Sequence, residues 1–129
     1  MRYDEFVARV RERGEYPDRA GTERVIQQVL GVLAQRLGPD EAEDLAAQLP
    51  LPAGAWLTAR PGGARGYGVR EFLAQVASGV GATERTAEWD AGAVLSTVAE
   101  AVSGGELNDV LTRLPAGFAA LFGRPVLSD

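Results

Sequence analysis

Cysteine and histidine are both absent from this 129-residue chain. Without a thiol there is no disulfide, no thiolate nucleophile and no cysteine redox chemistry. Without an imidazole the usual general base near neutral pH, the commonest protein metal ligand and every serine–histidine pair are missing. Serines and threonines such as Thr22, Ser78, Thr86 and Ser103 are present, but a hydroxyl nucleophile needs a base beside it. No catalytic residue, no metal ligand and no cofactor-binding motif is therefore assigned. Lysine is missing too, all thirteen basic residues being arginine. Together with the many alanines and glycines, this fits high-GC coding better than thirteen chosen guanidinium contacts. No apolar run approaches the roughly 18 residues that a membrane span needs, and nothing at the N-terminus reads as a secretory signal. The expected location is the cytoplasm.

Charge excludes a further class. The net charge of -5 and the pI near 4.8 have the wrong sign for a protein that binds by neutralising phosphates, so nucleic acid is not an expected partner. Hydrophobic residues at 46% and charged residues at 24% are close to globular averages. A chain of this length can bury roughly two thirds of the surface its unfolded form exposes, enough for one domain without staples.

What is present is a helical pattern written twice. Tyr3, Phe6, Val7 and Val10 stand at i, i+3, i+4, i+7 and share one stripe, with Glu5, Arg9, Glu12 and Arg13 facing away. Val69, Phe72, Leu73 and Val76 repeat the spacing. Each first helix ends near a glycine, Gly14 or Gly79, suited to a left-handed C-terminal cap. A longer helix follows from near Asp18 or Thr83, both good N-cap residues, to Leu37 or Val102. The buried stripes of these helices are Ile26, Val29, Leu30, Leu33 and Leu37, and Ala91, Val94, Leu95, Val98 and Val102.

The third helices start differently and stop alike. In the second half Ser103 and Glu106 have the spacing of a capping box, each side chain serving the other's backbone amide. In the first, Gly38 caps, Pro39 occupies the first helical position, and Asp40 and Glu41 complement the helix dipole. The stripes Ala42, Leu45, Ala46, Leu49 and Leu107, Val110, Leu111, Leu114 then run into Pro50 and Pro115, which stop the helix. A short fourth turn closes each unit, with Trp56 and Leu57 in one and Leu121 and Phe122 in the other. Between Val29–Pro50 and Val94–Pro115 the aligned pairs Val29/Val94, Leu30/Leu95, Ala34/Ala99, Glu41/Glu106, Asp44/Asp109, Leu49/Leu114 and Pro50/Pro115 are identical. The expected fold is all-α: two tandem pseudosymmetric repeats of about four helices, 1–58 and 67–123, sharing one core as a single domain over 1–129. A Gly/Arg-rich connection over 59–66 joins them.

The segments Tyr3 to Phe6 (YDEF), Arg70 to Leu73 (REFL), the Val-Leu pair in each long helix and the twice-written E-x-x-D-(L/V)-x-x-x-L-P ending resemble the bacterial family known as domain of unknown function 2267. The resemblance covers essentially the whole chain. It implies an all-helical protein of two such units, common in actinobacteria, and it carries no activity and no catalytic motif.

Four groups of residues remain as candidate sites. Glu41 and Asp44, echoed by Glu106 and Asp109, could hold a hard cation. There is no calcium-loop pattern, however, and acids in a first helical turn are what the dipole favours. Arg60, Arg65 and Arg70 with Tyr67 could bind a phosphate or a single strand, but neither a P-loop nor a dinucleotide fingerprint is present, so a solvated linker is the plainer reading. Glu5, Arg9 and Arg13 read as a salt-bridged solvent face. Trp89 stands about 180° round its helix from Val98, where the sister copy has Arg24. Either it covers the junction of the two units or it is an aromatic anchor for another chain.

These observations favour a non-enzymatic protein–protein interaction or scaffolding module, with a protein partner or self-association and no membrane. The possible interface comprises Trp89, Arg60, Arg65, Tyr67 and Arg70. The alternative is a small-ligand binder or sensor with an apolar pocket between the repeats, lined by Phe6, Phe72, Trp56 and Phe122. An enzyme ranks third, since acid–base work would rest on carboxylates alone.

Overall fold

The computed structural model describes residues 1–59, 68–80 and 84–124, apart from the side chains of Val80 and Glu84. Every regular element among them is helical: α1 (Tyr3–Gly14), α2 (Arg19–Arg36), α3 (Pro39–Gln48), α4 (Ala53–Thr58), α5 (Val69–Val80), α6 (Glu84–Ala101), α7 (Gly104–Thr112) and α8 (Phe118–Leu121). The expected stripes are buried apart from Tyr3, Ala46 and Val69, which are partly buried, and Phe6, Val10, Phe72 and Val76 are at 0% exposure. The expected starts hold where they are described. The Asp18 side chain accepts from the Gly21 amide, Ser103 accepts from the Glu106 amide, and Pro39 sits at the first position of α3. Thr83 and the connection over 60–67 lie outside the described residues.

Two expectations about helix ends are corrected. α1 does not end in a left-handed Gly14. Gly14 is still helical, and the left-handed residue is Glu15, at φ 55° and ψ 42°. The Glu15 and Tyr16 amides close the helix onto the Glu12 and Arg11 carbonyls. Arg11 then holds the following turn, donating to the carbonyls of Tyr16 (3.2 Å) and Pro17 (2.7 Å). Glycine is needed at 14 because the Tyr16 ring lies where a Cβ would stand. α5 ends near its glycine as expected, Gly79 being its last residue but one, with the Gln28 side chain against it. The second correction concerns the capping box. Glu106 does not reach back to Ser103; the Ser103 amide donates instead to Gln48 Oε1 at 2.7 Å, a residue of α3.

The two long helices form the middle of the molecule. α2 packs on α1, α4, α5 and α6, and α6 packs on α1, α2, α5 and α8. Enclosure of this kind explains why burial on α2 spreads beyond one stripe to Gly31, Val32 and Ala34: a helix with neighbours on most sides has little solvent face. The packing also crosses the chain, α1 lying against α6 and α2 against α5. At the ends of the core Phe72 and Phe118 meet edge to face at 5.1 Å, and Tyr3 and Trp56 at 6.1 Å. Gly54 lets α4 close against α3, since a Cβ there would stand 2.6 Å from the Ala46 carbonyl oxygen.

Candidate functional site

The first polar seam runs along α1 and α6. Arg9 pairs with Glu5 at 2.6 Å and with Glu100 at 2.9 Å, and Arg13 reaches the same Glu100 at 2.6 Å. Arg13 also donates to Thr97 Oγ1 at 2.9 Å, and Thr97 in turn donates to the Ala93 carbonyl. The expected bridge of Glu5 with Arg9 is present on a partly exposed face, and Arg9 and Arg13 have in addition partners on α6. That side of α1 lies on α6, and its arginines are bonded to residues far along the chain. The hydrogen bond from Arg13 holds the Glu100 carboxyl below the usual carboxylate range; burial opposes it, and the bond from Arg9 adds to it.

One turn further on, the seam becomes aromatic. Trp89 is 52% exposed, yet its indole N–H donates to the Gly14 carbonyl at 3.0 Å. It therefore bridges the first and second halves of the chain while leaving half its surface to solvent. Beside it the Tyr16 hydroxyl donates to Asp90 Oδ1 at 2.5 Å. Asp90 is 5% exposed, and burial pushes its carboxyl above the usual range although the hydrogen bond from Tyr16 pulls the other way. Burial, then the bond to Asp90, raises the Tyr16 phenol beyond any physiological titration. No sequence periodicity pointed to Tyr16 or Asp90. The one available signal was an aromatic residue directly before Pro17, where a helix must end.

Several hollows adjoin these residues. A furrow of about 440 Å³ beside Trp89 is lined by Arg13, Arg85, Glu88, Gly92 and Ser96. A second, of about 580 Å³, lies between α5, α6 and α8 and includes Arg70, Leu73, Arg85, Gly92 and Leu121. A third, of about 670 Å³, lies on the other side of Asp90, with Tyr16, Arg24, Gln28 and Gly79. The apolar pocket expected from Phe6, Phe72, Trp56 and Phe122 has no counterpart among these hollows. Phe6, Phe72 and Phe122 are 0%, 0% and 2% exposed in the packed core, and Trp56 is half-buried against Tyr3.

The remaining candidates separate. Arg60, Arg65 and Tyr67 lie outside the described residues. Arg70 is exposed on α5 and lines the second furrow. The acidic residues of α3 and α7 come together because those helices pack on each other. Burial, then the negative charges of Asp44 and Asp109, raise the Glu106 carboxyl, while Glu41 accepts from Arg113 at 3.3 Å. Among the described residues no group of three or more acids is arranged to hold a metal ion, and none of their helices is long and apolar enough to cross a membrane.

The family described as uncharacterized conserved protein (DUF2267) matches residues 3–121, from the first residue of α1 to the last of α8. The chain belongs to this family. No curated protein matches it.

Proposed function

We propose that this DUF2267 protein is a non-enzymatic interaction module of the bacterial cytoplasm that engages a protein partner, or a second copy of itself, through the α6 surface around Trp89. The observation that supports the reading most is the state of the Trp89 ring, half-exposed and fixed by its bond to Gly14. Tryptophan is among the residues that dominate interface energetics, and a ring already immobilised loses little freedom when a partner covers it. The furrows on α6 extend this surface on one side of the ring.

The same reading treats residues 1–58 and 67–123 as two copies of one unit. In its favour, helices of 12, 18, 10 and 6 residues are followed by helices of 12, 18, 9 and 4.

The test combines light scattering with partner capture from a high-GC bacterial lysate. Trp89→Arg, which installs the residue of the sister position, is expected to weaken association by ten-fold or more, about 1.4 kcal/mol, with unchanged helicity by circular dichroism. A strict monomer that captures nothing, or a variant that associates as the wild type does, counts against the proposal.

A further inference from the structure

Several arginines among the described residues are occupied by internal partners. Arg9, Arg13, Arg19 and Arg113 form ion pairs, and Arg11 is bonded to carbonyls. Arg70 and Arg85, like Arg2, Arg24 and Arg124, make no ion pair among the described residues, and these two line the same furrow. Among the described residues one carboxylate, Glu88, lines that furrow with them. A surplus of guanidinium is thus concentrated at one place on a protein of net charge -5. The wall between the two arginines is apolar, formed by Val69, Leu73 and Leu121.

Gly92 supplies the second observation. It lies within α6, where glycine weakens a helix relative to alanine, and a Cβ built there would meet nothing within 4 Å. Internal packing therefore does not require glycine at this position. Gly92 lines both the furrow with Arg70 and the furrow with Trp89, and Arg85 and Glu88 are also common to the two. The two hollows adjoin along α6, sharing Arg85, Glu88 and the bare Gly92, with a half-exposed indole on one side and Arg70 on the other, a track in which neither Arg70 nor Arg85 has an ion pair among the described residues.

Resting on the interaction-module reading, we infer that this track takes an extended acidic-apolar peptide segment of a partner protein. Carboxylates of the segment would face Arg70 and Arg85, an aliphatic side chain would lie on Val69, Leu73 and Leu121, and the chain would cross Gly92 towards Trp89. Arginine pairs with carboxylates through a planar fork of donors, and guanidiniums without an internal partner give up no ion pair when they do so. A nucleic acid strand fits less well, because Glu88 and the overall negative charge oppose phosphates and a single aromatic ring gives one stacking position.

The experiment is panning of a random twelve-residue peptide library, displayed on phage, against the full chain, with affinities of selected synthetic peptides measured by fluorescence anisotropy. Selected peptides are expected to carry at least two acidic residues and one aliphatic residue. Replacing those acids by Gln or Asn should weaken binding by about ten-fold or more. The double variant Arg70→Glu/Arg85→Glu should bind them no better than the Gln/Asn versions. Gly92→Leu, which fills the middle of the track while strengthening the helix, should lose the peptides with an unchanged or raised Tm, a result that misfolding cannot imitate. Neutral or basic selected peptides, or binding that survives the double charge reversal, overturn the acidic track and leave the interaction module standing. No selected peptide of any charge, together with a Trp89→Arg variant that associates as the wild type does, overturns both.

Discussion

Asp90 is the one buried carboxylate among the described residues, and its partner Tyr16 is neutral. Its folded pKa is raised above the unfolded value near 3.9, so between the two the folded state binds the extra proton. The contribution to stability is complete below the ordinary carboxylate pKa and is lost as pH rises through the raised one. Asp90→Asn, which keeps an acceptor for the phenol, is expected to remove this decline from a plot of urea midpoint against pH. Glu100 behaves oppositely. Its pKa is lowered by Arg13 and Arg9, so its contribution is present above the unfolded carboxylate pKa and lost as pH falls through the folded one. Glu100→Gln should flatten the acid side of the same plot. That Trp89 stands off the core stripe was legible from counting 100° per residue. Its bond to a carbonyl 75 positions away was not, because periodicity describes one helix and says nothing of which backbone group a neighbour presents.

The third helices show how far local rules extend. Ser103 caps α7 as its spacing with Glu106 implies, and Ser103→Ala should cost about 1 kcal/mol in urea unfolding. The other half of the expected box is replaced by Gln48, so Gln48→Ala should cost about 0.5 kcal/mol, the low end for a hydrogen bond whose freed amide is exposed and can be rehydrated. A capping box written in sequence states which partners are near along the chain. It cannot exclude a closer one brought by packing, here from α3. The end of α1 follows the same logic. Gly14 had the right chemistry for a left-handed cap, yet the Tyr16 ring needs the space beside it, and the left-handed turn passes to Glu15. Long apolar stripes survived such competition because many residues at a 3.6-residue period must agree before a helix buries one face.

At the scale of the whole molecule the core lists were readable and the arrangement of helices was not. Leu45 and Leu114 are 1% and 6% exposed, so truncating either to alanine should cost about 2 to 5 kcal/mol in chemical denaturation. Spacing alone identified both leucines, but it held no information that α1 would lie on α6 or that α5 would lie on α2. Loop length and stripe position are compatible with several bundles, and the choice is made by which stripes and polar edges fit. The crossing of α1 onto α6 also sets an order of events during synthesis. Arg9 finds Glu100 91 residues later, and at roughly 5 to 20 residues per second the ribosome needs on the order of five to twenty seconds to deliver it. For that interval the nascent first helix has α2 as a neighbour and no α6, so its Arg9 and Arg13 edge waits for Glu100 to appear.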